Sequence, residues 1–320
     1  KYLHALRSYL SEQSSTLGRL LRIGTPIILG QLGIISVNFA DTIMIGKYHT
    51  DALAAASFVN NIYALFFVLA LGFSYGLTPL VAKAHARSDA TRLGRLLRHS
   101  TQLNLLITLG LLILLLALYA GMDLFRVPES LVPLIRPYFF LQLGSLVVFM
   151  ASAGMKQFFD GIGRTMVPMW IILSSNLLNI LGNYLLIFGK WGCPELGLFG
   201  AGLSTLLSRV YMLVALWVVL RSSRDLRAVY RACLKRRFLP AYFGRLFRLG
   251  LPIGIQTGVE AGAWTFAIII VTPLGEYPLA VHQIVCTLTN LGFLVYYGIG
   301  AATTILVSAA HARGDQGEIR

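Results

Sequence analysis

Gly18-Arg19-Leu20-Leu21-Arg22-Ile23-Gly24-Thr25-Pro26-Ile27 returns 226 residues later as Gly244-Arg245-Leu246-Phe247-Arg248-Leu249-Gly250-Leu251-Pro252-Ile253. The same offset carries Ala84-His85-Ala86-Arg87-Ser88-Asp89 onto Ala310-His311-Ala312-Arg313-Gly314-Asp315. Between residues 18–94 and 244–320 the register holds without a gap, with 22 identities in 77 pairs. A self-match of that length marks a duplicated structural unit.

Composition says what kind of unit it is. Hydrophobic residues make up 56% of the 320, charged residues 12%, and the mean hydropathy is +0.71. Soluble domains are about one quarter charged, so the main solvent here is lipid. Apolar runs of about 20 residues, enough to cross the hydrocarbon layer, fall at roughly 25–46, 53–81, 101–120, 131–155, 166–188, 198–220, 249–272 and 279–309. The expected fold is an all-α polytopic membrane protein.

The net charge of +14 is a topology signal. Of the 27 Lys and Arg, 22 fall in the N-terminal segment, in 81–100, in 156–165, in 221–248 or after the eighth run. Lys47, Arg126, Arg136 and Lys190 fall on the other side. The positive-inside rule then places the N-terminus and the 82–100 and 221–248 loops in the cytoplasm, and nucleic acid is excluded as a partner. Residues 1–22 are too polar for a cleavable signal peptide.

Six spans separate the two copies, an even number, so both enter the membrane with the same orientation. Two parallel six-helix repeats follow, related by an axis along the membrane normal. The arithmetic predicts twelve helices, with the second repeat cut off after two of its six. Residues 1–220 form the first lobe, 221–248 a basic cytosolic linker resting on anionic lipid headgroups, and 249–320 the start of the second lobe. Cys193, Cys233 and Cys286 are placed too differently to pair.

Function is read from polar groups forced to membrane depth, where each is costly unless partnered or wetted. Asp41 in the first span and Glu260 in the seventh are the two carboxylates of this kind. They are not repeat equivalents: Glu260 aligns with Ile34, seven residues or about two turns from Asp41, so both are expected on one interior face at different depths. Asn176, Asn179 and Asn183 share a face of the fifth span, and Thr205 in the sixth adds a hydroxyl. Carboxylate, amide and hydroxyl oxygens suit Na⁺, at Asp41 or Glu260, or a shared proton. Gln256, His282 and Gln283 are further candidates for the substrate cleft. Among cationic side chains only Arg209 lies deep, and snorkelling or pairing accounts for it. An interior that is acidic on balance favours cationic or neutral amphipathic cargo.

These residues resemble the multidrug and toxic compound extrusion (MATE) transporters, in their NorM-type branch. The resemblance rests on the starts of the first and seventh spans at Gly24-Thr25-Pro26 and Gly250-Leu251-Pro252, on Asp41-Thr42-Ile43-Met44-Ile45-Gly46, and on Asn179-x-x-x-Asn183-Tyr184. Gly200-Ala201-Gly202, Ala280-Val281-His282-Gln283 and Glu260 complete it. It implies a twelve-helix protein of two lobes around a cleft that opens to one side at a time, exporting cationic drugs in exchange for Na⁺ or H⁺ without any other cofactor. Asp41, Asn179, Asn183 and Thr205 match the family's cation or proton cluster, although Asn183 stands where some members have Asp. Glu260 matches the second-lobe cation site, and Pro26 a helix-bending proline. The expected setting is a bacterial inner membrane, with lipid as the surrounding partner and a monomer as the working unit.

Two rivals remain. A lipid or oligosaccharide flippase would want basic residues lining the cleft, and these spans offer almost none. A membrane-embedded transferase would need a catalytic cluster, but His85-Ala86-Arg87 recurs as His311-Ala312-Arg313, as a structural turn does; an enzyme is not expected.

Overall fold

The structure is a computed structural model and describes residues 2–121, 128–235 and 239–319. Lys1, Arg126, Arg236, Arg237 and Arg320 of the charge pattern lie outside the described residues. Eleven α-helices run in order among them: α1 (Tyr2–Tyr48), α2 (Thr50–Tyr75), α3 (Leu77–Ala86), α4 (Ala90–Ala120), α5 (Val132–Gly161), α6 (Met166–Phe188), α7 (Gly197–Ser222), α8 (Arg227–Leu234), α9 (Pro240–Val271), α10 (Glu276–Arg313) and α11 (Gln316–Ile319). Eight stretches are long and apolar enough to cross a membrane: Thr16–Tyr48, Thr50–Ala86, Ala90–Ala120, Val132–Gly161, Met166–Phe188, Gly197–Ser222, Pro240–Leu274 and Tyr277–Arg313. Their number and order match the hydropathy reading.

The connectors do not. The expected 82–100 loop is helix apart from Arg87–Asp89, because Asp89 caps α4 by accepting from the Arg92 amide at 2.9 Å. Only His49 separates α1 from α2. Hydropathy marks where apolar windows end, but Ala-, Leu- and Arg-rich flanks still favour helix, so the helices run on past the lipid-facing stretch. The expected linker 221–248 contains α8 and the start of α9.

Helix α7 packs against α5 and α6, α6 against α1, and α5 against α2 and α4. Helix α1 then packs on α10, and α9 packs on α2. Both crossings are close. A Cβ on Gly24 would lie 3.3 Å from the Gly298 carbonyl oxygen, and one on Gly250 would lie 2.7 Å from that of Phe73.

Two apolar clusters fill the first six spanning segments. One, built on Phe73, Leu77, Val81, Leu96, Phe158 and Leu216, lies toward the arginine-rich end. The other, built on Ile45, Ala55, Val59, Ile135, Leu146 and Ile187, lies toward the opposite end. Leu106, Ile113, Trp170, Leu177 and Val214 are exposed, as outward faces in contact with acyl chains should be.

The linker is docked. Val229 and Ala232 of α8 are buried, and the His99 ring is wholly buried beside it. His99 Nδ1 pairs with the Arg95 carbonyl at 2.7 Å, its Nε2 accepts from the Leu239 amide at 3.0 Å, and the ring stacks on Tyr242. Arg98 donates to the Lys235 carbonyl. The described part of the linker is therefore tied to the end of α4.

Candidate functional site

Helix α1 brings Asp41 against the amide-bearing face of α6. Asn183 Nδ2 donates to Asp41 Oδ1 at 2.5 Å and lies 3.2 Å from Asn179 Oδ1. Asn179 in turn donates to Thr205 Oγ1 on α7 at 3.3 Å. Its position is fixed from behind, because Ser204 Oγ donates to the Asn179 backbone carbonyl at 2.8 Å. Spacing by four residues put Asn179 and Asn183 on one face of α6, and Gly200 lets α7 approach α6 closely while Gly202 lets it approach α5. A Cβ on Gly200 would fall 2.5 Å from the Leu186 carbonyl oxygen.

Asp41, Asn179, Asn183 and Thr205, read from sequence as one cluster, are together. Asn179 is 3% exposed and Asn183 0%. Because Asn183 must turn its NH₂ toward the carboxylate, its Oδ1 is left buried with no hydrogen-bond partner. Asn176 Nδ2, about two turns away, is also buried and unpartnered. Native interiors hold few such atoms, and here two lie on the amide-bearing helix that faces Asp41.

The cluster opens onto a cavity of about 380 Å³ within the first six spanning segments. Asp41, Asn176, Asn179 and Thr205 line it, with Gln31, Asn38, Asn60, Tyr63, Phe67, Tyr138, Gln142, Phe149, Lys156 and Arg209. Most of these polar residues escaped the sequence reading. Asn60 and Gln142 carried a readable signal, an amide inside an apolar run, and the structure joins them through Tyr138, whose hydroxyl accepts from Gln142 at 2.8 Å and donates to Asn60 at 3.2 Å.

The expectation that the interior has little basic character is corrected here. Arg209 does not snorkel and makes no ion pair among the described residues. It lines the cavity, its Nη1 donating to Tyr63 Oη and Ser145 Oγ, both at 2.7 Å. Lys156 also lines it, paired with Asp160 Oδ2 at 3.0 Å, both side chains largely buried. The Arg209 partners come from helices distant in sequence, so no local pattern announces them, whereas Lys156 and Asp160 are one turn apart on α5.

The second-lobe candidates lie apart from this cluster. Glu260, Gln256 and Gln283 are exposed on α9 and α10, and none lines the cavity. Helix α9, which carries Glu260, packs on α2. His282 is half-buried, its Nε2 3.3 Å from Cys286 Sγ. Pro26 is buried inside the uninterrupted helix α1. The three cysteines are unpaired, and among the described residues no group of three or more His, Cys, Asp and Glu could hold a metal.

Comparison with known proteins follows this geometry. A probable multidrug resistance protein NorM of Bradyrhizobium diazoefficiens is 32% identical over 305 residues, covering 94% of this chain and 64% of that protein. The multidrug resistance protein NorM of Vibrio cholerae is 27% identical over 311 residues, covering 97% and 67%. The chain thus spans about two thirds of the length of these relatives. A crystal structure of a Vibrio cholerae MATE transporter superposes with a TM-score of 0.83 at 16% identity, over 97% of this chain and 69% of that one, which supports the fold. The MatE family profile matches residues 26–185 and 252–320, more than half of the chain, and the chain belongs to the MatE family.

Proposed function

We propose that the protein is a secondary active multidrug antiporter that exports cationic or amphipathic organic compounds in exchange for Na⁺ or H⁺ by alternating access. The observation that carries this reading is the Asp41 carboxylate, held at membrane depth by Asn183 on the wall of a cavity, with Asn183 Oδ1 beside it unsatisfied. A hard cation takes oxygen donors, and the carboxylate and that amide oxygen are two of them. A proton on Asp41 is the other way to neutralise the site.

The two occupants compete. With the cleft open to the outside, an entering ion cancels the carboxylate's charge, and a bound organic cation loses the attraction that held it. The lobes then rock, the ion leaves to the cytosol, and cargo loads. Each inward elementary charge supplies about 2.3 kcal/mol per 100 mV. Glu260 is proposed as a second coupling carboxylate in the other lobe, and Pro26 as a flexible point of α1. Two inverted states of a pair of six-helix lobes in a bacterial inner membrane, N-terminus in the cytosol, complete the reading.

Lys156 and Arg209 on the cavity wall are what a flippase of anionic lipid headgroups would use, but Asp160 neutralises the first, and Asp41 shares the cavity with the second. The test is efflux of ethidium from proteoliposomes of the full chain under a Na⁺ gradient and then a pH gradient. Movement that follows one gradient and is lost in Asp41→Asn supports the antiporter and names its ion. Silence under both, in folded protein, overturns it.

A further inference from the structure

Resting on the efflux reading above, the geometry points to Arg209 as an anion-binding subsite of the cavity, one that recognises a carboxylate carried by an aromatic cargo molecule. Arg209 stands one turn beyond Thr205 on α7, on the face that lines the cavity. Its guanidinium carbon lies 5.7, 5.6 and 5.3 Å from the ring centres of Tyr63, Phe67 and Phe149. Three aromatic rings and two hydroxyls therefore hold the group in one orientation.

No carboxylate among the described residues pairs with it directly; Asp41 acts on it only across the cavity. Both Nη1 hydrogens are taken by neutral oxygens, those of Tyr63 and Ser145. Ser145 is itself wholly buried and donates onward to Gln142. A guanidinium has five N–H donors, so the Nε and Nη2 hydrogens remain, and they make no hydrogen bond among the described residues. Lys156 has its own carboxylate in Asp160, and Asp41 is engaged by Asn183 and makes no ion pair with Arg209.

The shape of what is missing follows. A cation at membrane depth with no direct ion-pair partner marks a functional site. The Nε/Nη2 edge of a guanidinium presents two parallel hydrogens, and a planar carboxylate accepts both at once. Tyr63, Phe67 and Phe149 line the same cavity and offer flat apolar walls to an aromatic body. A cargo bearing only positive charge meets Asp41 favourably and Arg209 unfavourably; one that adds a carboxylate satisfies both walls.

A matched pair of dyes isolates the carboxylate. Rhodamine 110 carries a free benzoate, and rhodamine 123 is its methyl ester. Binding of both to detergent-purified full chain is followed by fluorescence polarisation, and gradient-driven movement in proteoliposomes, for wild type, Arg209→Gln and Arg209→Lys. The acid is expected to bind wild type at least as tightly as the ester. Arg209→Gln should lower the acid-to-ester affinity ratio tenfold or more, and Arg209→Lys, which keeps charge but loses the fork, by an intermediate factor. A ratio unchanged by Arg209→Gln, with both dyes weakened alike, would assign Arg209 a bracing role and overturn the subsite. Should Arg209→Gln not fold, the ratio in Arg209→Lys decides: at least threefold lower supports the subsite, and no change overturns it. If wild type moves the ester and not the acid, this inference fails while the efflux reading stands; if it binds and moves neither, both fail.

Discussion

Asp41 and Asn183, 142 positions apart in sequence, share a 2.5 Å hydrogen bond that ties α1 to α6 at the wall of the cavity. The bond fixes the orientation of the Asn183 amide, and with it the buried oxygen that has no partner. One contact thus sets both the charge and the vacant acceptor of the proposed ion site.

Asn183→Leu removes that donor and that acceptor together while keeping the volume. Hydrogen bonds to a charged group contribute about 1.5–3 kcal/mol, so ion-dependent dye release should need roughly tenfold or more higher ion concentration. Asn183→Asp should act in the opposite sense on Na⁺, adding a second carboxylate. Titrating Na⁺ against dye displacement in both variants checks the pair.

Lys156 and Asp160, one turn apart on α5, form a largely buried ion pair. Removing one partner leaves a buried charge, at a cost of about 3–5 kcal/mol, whereas replacing both by apolar residues is close to neutral. Thermal unfolding in detergent should therefore show Lys156→Met and Asp160→Leu each strongly destabilised and the double variant largely recovered. Additive losses would contradict this.

Gly250 lets α9 lie on α2, with a Cβ there falling 2.7 Å from the Phe73 carbonyl oxygen. That oxygen belongs to helix backbone and cannot step aside. Gly250→Ala should cost about 1–3 kcal/mol by overpacking, and Gly244→Ala, whose Cβ would meet nothing within 4 Å, almost none. A thermal-shift comparison of the two separates packing from helix propensity.

Cys233 sits half-buried at the end of α8, and burial pushes its thiol above the usual range, against a smaller opposing effect of Arg98. The thiolate is the reactive form, so a raised value means slow maleimide labelling at neutral pH that speeds up as pH rises through 9. His99→Ala, by removing the acceptor of the Leu239 amide, should loosen the linker, quicken labelling at pH 7 and expose the basic segment to trypsin.

The membrane-crossing pattern and the Asp41 cluster were legible in the sequence for one reason: a polar residue inside an apolar run stands out, and amides four apart share a helix face. Arg209 stood out equally but was misread, because its meaning lies in Tyr63, Phe67, Ser145 and Phe149 on α2 and α5. Asn60 and Gln142 were passed over although their signal was of the same kind. The connector at Arg87–Asp89 was drawn too long because hydropathy reports solvent and not helix ends. For Glu260 the sequence gives depth alone, since the face a helix presents depends on its neighbours, and for α9 the described neighbour is α2.

The single residue between α1 and α2 has a mechanical meaning. His49 accepts from the Leu53 amide and donates its own to Ile45 at 3.1 and 3.2 Å, so the two rods are pinned there with no slack. At about 1.5 Å per residue, Asp41 stands about 12 Å from the pin and Gly24 about 37 Å. A tilt of α1 about His49 therefore sweeps the Gly24–Gly298 crossing some three times as far as the carboxylate. The lever gives its long arm to the contact with α10 and its short arm to the chemistry, so a large stroke at the arginine-rich end can pass while Asp41 scarcely leaves its amide.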